Sequence, residues 1–138
     1  MAENMIVFYE ALQELDNARR SLNDLCAEYH ISFEQFVLMK RILVAGGIRP
    51  TELSDELHIS RPAVSRKLTQ LYYSDYLSKE RSQTNQDQRI VTIVLTDTGR
   101  SVVESLDESY RERLAQITEP VKKVTDTVEI FEVLGEDI

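Results

Sequence analysis

At 138 residues and 42% hydrophobic content, the chain has the material for one domain with a real core. No apolar run approaches the roughly 20 residues that span a bilayer, and MAENMIVFYEALQELDNARR has acids where a signal peptide has basic residues, so a cytoplasmic protein without a membrane segment is expected. The formal net charge of −8 argues against a sequence-blind polyanion binder, yet residues 61–89 hold six basic residues against three acids. An acidic body carrying one locally basic face is compatible with specific DNA binding.

Residues 5–29 read as one long helix. Met5, Phe8, Leu12, Leu15, Arg19, Leu22, Cys26 and Tyr29 step by threes and fours, a stripe broken only by the charge of Arg19. The stripe packs on its own chain or helps build a homodimer, and an ordinary salt bridge is the simplest role for Arg19. Ser32 and Gln35 form an S-x-x-Q capping box, and the apolar-rich helix after it runs to a Gly46-Gly47 stop. That helix should be central.

After a short extended link at residues 48–50, Thr51 is expected to cap the first of two short helices in TELSDELHISRPAVSRKLTQL. Leu53, Leu57 and Ile59, then Val64, Leu68 and Leu71, share one small core across a turn at residues 58–60. Ser60 is a ready N-cap and Pro62 falls in the first turn, where its missing N–H costs nothing. The face opposite Val64 carries Pro62, Arg66, Thr69 and Gln70, flanked by Ala63 and Ser65. This is the pattern of a helix-turn-helix whose second helix reads the major groove.

Residues 76–81 and the β-branched run at residues 90–95 predict a hairpin with the polar tip SQTNQDQ. Such a wing tracks the phosphate backbone or the minor groove. Arg89 suits the negative potential there, with Asp87 placed to hold its guanidinium or simply to pair with it. Thr96 or Asp97 caps a second long helix carrying Val103, Leu106, Tyr110, Leu114 and Ile117. Glu119-Pro120 predicts a break, followed by a last helix with Val121, Val124, Val128, Phe131 and Leu134 on one stripe. The fold class expected is mainly α with a small β-wing, a single unit over residues 1–138. A winged helix-turn-helix at about residues 32–95 is flanked by dimerisation helices at about residues 1–30 and 97–138.

This order of elements, with Asp87-Gln88-Arg89 followed by Leu95-Thr96 and Gly99, resembles the MarR family of bacterial transcriptional regulators over nearly the whole chain. The resemblance implies a homodimer with interleaved terminal helices, two winged lobes on a pseudo-palindromic double-stranded operator, and repression relieved by a small ligand or by oxidation. Position by position it implies that Pro62, Ser65, Arg66, Thr69 and Gln70 meet bases and phosphates, with Arg89 in the minor groove supported by Asp87; Ser60, Arg61, Ala63 and Lys67 complete the expected DNA-contacting set. Arg66 is the foremost base reader, through guanine O6 and N7. The chain departs from the family in having Asp75 where a glycine usually follows the recognition helix, and in about two extra residues between Leu71 and Asp87. Either Lys79 or Arg81 then takes the place of the family's strand arginine. An effector crevice between body and lobe would draw on Tyr9, Arg19, Arg20, Phe36 and Met39.

Three other readings stand beside the homodimeric repressor. One is a winged-helix protein-interaction module without specific DNA binding. A second is a metal- or thiol-responsive regulator using Cys26 and His30, four apart on one helix. Cys26 at a stripe position is more simply a buried structural cysteine, and no metal or other cofactor is expected. An enzyme is the third. With two histidines, no Gly-rich phosphate loop and no Ser-His-Asp grouping, no catalytic residue is assigned.

Overall fold

The computed structural model describes residues 2–85 and 88–134. Five helices and one hairpin follow in the order α1 (Ala2–Ala27), α2 (Phe33–Ala45), α3 (Pro50–Leu57), α4 (Arg61–Tyr73), β1 (Leu77–Asn85), β2 (Gln88–Leu95) and α5 (Asp97–Leu134). The chain divides into two compact units, one of Met1–Leu25 with Glu108–Ile138 and one of Cys26–Asp107.

In the Cys26–Asp107 unit, each element starts or stops where its local chemistry dictates. Ser32 Oγ accepts the Gln35 amide N–H while Gln35 Oε1 accepts the Ser32 N–H, a complete capping box for α2. Gly46 ends the helix in the left-handed region at φ 70°, and its N–H closes on Leu43. The link that follows does more than connect. Ile48 and Ile93 exchange N–H···O bonds of 3.1 and 2.8 Å, so the approach to α3 bridges to β2.

Thr51 is not the cap of α3. The N-cap is Arg49, whose side chain makes no capping bond, and Pro50 starts the helix with a φ already suited to it. His58 closes α3 in a left-handed turn at φ 54°, and Ser60 caps α4 by accepting the Ala63 N–H at 3.3 Å. The hairpin is longer than its sequence pattern suggests. Register runs from Leu77 opposite Leu95 through Lys79 opposite Ile93 and Arg81 opposite Val91, with an irregularity between Gln83 and Asn85. Leu38, Met39, Ile42, Leu53, Val64, Leu71, Ile93, Val103 and Leu106 form the buried centre of the Cys26–Asp107 unit. Val44, by contrast, faces solvent at the end of α2. Arg41 of α2 holds Glu56 of α3 at 2.5 Å, and that hydrogen bond keeps the Glu56 carboxyl below its ordinary range.

The junction from α4 into the wing explains the Leu95-Thr96…Gly99 run. Asp75 takes the left-handed conformation, φ 61°, that glycine would take more easily. The Thr96 hydroxyl donates to the Asp75 carbonyl at 2.6 Å and accepts the Gly99 N–H at 3.0 Å, while the Thr96 N–H donates to the Tyr76 carbonyl. A Cβ on Gly99 would lie 2.2 Å from that Tyr76 oxygen. One threonine therefore ties the loop to the start of α5, and only glycine fits beneath it.

In the other unit, Tyr110 of α5 donates its hydroxyl to the Leu22 carbonyl of α1 at 3.1 Å, Arg113 bonds Ser21, and Lys123 reaches Glu14. A cavity of about 430 Å³ lies between the helices, its apolar walls including Ala18, Leu22, Ile117 and Pro120. Met5, Leu12, Leu114 and Val121 stay exposed on this chain. The expected break at Glu119-Pro120 does not occur, since α5 runs through Pro120. Proline removes one intrahelical bond there, but its ring is buried in the cavity wall and the flanking turns continue. Nor are Cys26 and His30 on one helix. Helix α1 ends at Ala27, and His30 sits in a left-handed turn at φ 59° whose N–H bonds Ala27. No helix among the described residues is long and apolar enough to cross a membrane.

Candidate nucleic-acid interface

Helix α4 divides lengthwise into a buried ridge, two engaged flanks and one open ridge. Val64, Leu68 and Leu71 form the buried ridge, set by their three-and-four spacing against α2, α3 and β1. On one flank, the first turn of α2 holds α4. Glu34 pairs with Lys67 at 3.0 Å, and Gln35 Nε2 donates to Gln70 Oε1 at 2.7 Å and towards the Lys67 carbonyl at 3.4 Å. Lys67 and Gln70, both expected from sequence to contact DNA, thus have partners within the lobe.

The opposite flank borders a cavity of about 320 Å³ walled by Pro50, Thr51, Arg61, Ser65, Thr69, Tyr72, Lys79 and Ile93. The Lys79 ammonium sits 5.2 Å from the centre of the Tyr72 ring, a cation–π contact that ties the base of the wing to α4. Tyr72 Oη is buried and finds no hydrogen-bond partner among the described residues, and burial pushes its phenol above the ordinary value. Arg81, two residues further along the same strand face, lies exposed beyond this contact.

The open ridge carries Pro62, Arg66, Thr69 and Tyr73. Arg66 is exposed and makes no salt bridge among the described residues, so its guanidinium can meet an external acceptor. Thr69 is half engaged, its hydroxyl donating to the Ser65 carbonyl at 2.8 Å. Ser60 is occupied as the cap, and Ala63 lies half-buried on the α2 side. Tyr73 lies beyond Leu71, where the expected helix-turn-helix pattern ends, because α4 runs two residues further. At 88% exposure it is the most open of the exposed large hydrophobic side chains and stands one turn beyond Thr69 and two beyond Arg66. Its signal was available, since the spacing 62, 66, 69, 73 is one helical stripe.

In the wing, the backbone of Arg89 pairs with Gln83. Asp87 lies outside the described residues, and so does the expectation that it holds the Arg89 guanidinium. Of the effector set, Phe36 and Met39 are core side chains, with Met39 0% exposed. On α1, Arg19 and Arg20 both bond Asp16 at 2.8 and 3.1 Å, and Tyr9 is exposed with its hydroxyl accepting from Gln13. None of the five lines either cavity. Among the described residues there is also no cluster of three or more metal-ligating side chains.

The family described as transcriptional regulator SarA/Rot matches residues 20–106, which take in the capping box, both helices of the motif and the wing. The chain belongs to the SarA/Rot family of transcriptional regulators. Among curated proteins this SarA/Rot chain is similar to the HTH-type transcriptional regulator TcaR of Staphylococcus aureus (strain Newman), 29% identical over 107 residues. That alignment covers 78% of this chain and 66% of TcaR, so the chain spans just under two thirds of that relative. Its fold is that of solved MarR family regulators. AbsC from Streptomyces coelicolor matches with a TM-score of 0.71 at 11% identity, over 94% of this chain and 88% of that one. A mutant MarR from E. coli complexed with operator DNA matches with a TM-score of 0.68 at 22% identity, over 88% and 85%. The winged fold implied by the MarR resemblance is therefore the fold found.

Proposed function

We propose that this chain is a sequence-specific double-stranded DNA-binding regulator that acts as a homodimeric repressor on a pseudo-palindromic operator. The observation that carries the reading is Arg66. It stands without a protein counter-charge among the described residues, at the centre of the one ridge of α4 that neither the core nor α2 occupies. A guanidinium so placed, on a helix stiffened by Ser60, Val64, Leu68 and Leu71, suits bidentate contact to guanine O6 and N7. Arg61 and Lys79, lining the cavity beside the same helix, and Arg81, further along the wing strand, add positive charge for phosphates, although the chain as a whole is acidic. The E. coli MarR mutant of similar fold is complexed with operator DNA, which supports DNA binding by this chain.

Two lobes on one duplex need two copies, and the apolar side chains left open on α1 and α5 supply a reason for pairing. Selection of bound DNA from a random pool at fixed salt tests the reading. We expect an enriched inverted repeat with half-sites about one helical turn, roughly 10 base pairs, apart. A pool that stays random after repeated selection would exclude specific DNA binding and favour the protein-interaction module.

A further inference from the structure

The capping box of α2 does more than cap. The backbone N–H of Ser32 can only donate, so it must face the oxygen of the Gln35 amide, which it meets at 2.9 Å. That decides the other half of the same amide. Nε2, which has only hydrogens to offer, points at α4 and donates to Gln70 Oε1 at 2.7 Å and towards the Lys67 carbonyl at 3.4 Å. Gln35 is 5% exposed. Turning its amide over would set donor against donor at Ser32 and acceptor against acceptor at Lys67, around a side chain that water barely reaches.

We propose that Gln35 is a positioning residue for base reading by Gln70. Because Gln70 is held through its oxygen, its remaining amide hydrogens are what α4 presents at that position. A glutamine free to turn pairs with adenine through both N6 and N7, using its oxygen and its nitrogen together. Gln70 instead selects a base edge made of acceptors, guanine through N7 and O6 or thymine through O4, over the N4 donor of cytosine. This inference rests on the DNA-reading function proposed above and specifies what the recognition helix asks for at one position in each half-site.

The test compares DNA selected by the wild-type chain with that selected by Gln35→Glu, Gln35→Met and Gln70→Glu, each first shown by thermal unfolding to be folded at the assay temperature. In Gln35→Glu the introduced carboxylate still accepts the Ser32 N–H, since glutamate serves a capping box as well as glutamine does. Its second oxygen gives up the 3.4 Å contact with the Lys67 carbonyl and accepts from the Gln70 amide nitrogen, which turns that amide round and presents its oxygen to the groove. We expect one position per half-site to swing from guanine or thymine towards cytosine or adenine, by about fivefold or more in base ratio, with the other positions unchanged. Gln35→Met holds neither orientation and should flatten the preference at that same position. Gln70→Glu, an exposed change that leaves Gln35 in place, should give the same swing as Gln35→Glu; if the buried variants do not fold, wild-type selection of adenine at that position overturns the proposal. The proposal is overturned if the wild type selects a site and the folded variants leave every base preference intact, or weaken all positions alike. A wild-type pool that stays random is a different result, and overturns the DNA-reading function itself.

Discussion

Arg66, Gln70 and Tyr73 lie within two turns of one helix, yet their surroundings give them different capacities. Arg66 faces outwards with no ion pair among the described residues, and Gln70 is held from behind by Gln35. Tyr73 offers an exposed ring and hydroxyl at the far end of the ridge. Replacing Arg66 by alanine should lower discrimination between operator and non-operator DNA by about 1–3 kcal/mol, because one bidentate guanine contact is lost. Competition binding at constant salt measures this ratio. An unchanged ratio would remove Arg66 as a base reader, and an equal loss on both DNAs would make it a phosphate contact instead. Its position was legible from helical periodicity alone. The tethering of Gln70 was not, since its partner is 35 residues away in the chain.

Among the elements, the wing and its junction show how little a family-like run reveals until its contacts are seen. Leu95-Thr96…Gly99 reads as a strand end and a helix cap. In space, Thr96 spans two elements by bonding Asp75 as well as Gly99, and Gly99 lies against the Tyr76 carbonyl. Gly99→Ala should therefore destabilise the fold by about 1–3 kcal/mol, the usual range for forcing a group into filled space. This outweighs the gain of up to about 1 kcal/mol that alanine brings to a helix. Denaturant unfolding of the two proteins would show it as a lower midpoint at unchanged slope. A midpoint equal to the wild type or higher would mean that the α4–β1 loop yields freely. The opposite error of local reading occurs in α5. Proline is a strong breaker by propensity, but a single missing N–H does not end a helix whose neighbouring turns pack and whose proline ring is buried.

For the whole molecule, the apolar stripes of α1 and α5 are only partly used by this chain. Ala11, Leu22 and Tyr110 are buried, whereas Met5 at 40%, Leu12 at 43%, Leu114 at 51% and Val121 at 46% remain open. Apolar surface on two helices of one unit is the kind of surface a second copy covers. Sedimentation at low micromolar concentration should accordingly give the mass of a dimer. A folded monomer there would leave the stripes without a purpose and remove the two-lobed reading of DNA. Periodicity, capping residues and turn residues were enough to place α2, α4, the wing and the ridge of Arg66, because those depend on neighbours a few residues apart. The engagement of Lys67 and Gln70 by α2, the bridge from Ile48 to β2, the fit of Gly99 and the passage of α5 through Pro120 needed the folded chain. Each is a contact or a packing balance between residues distant in sequence, and no local pattern carries that information.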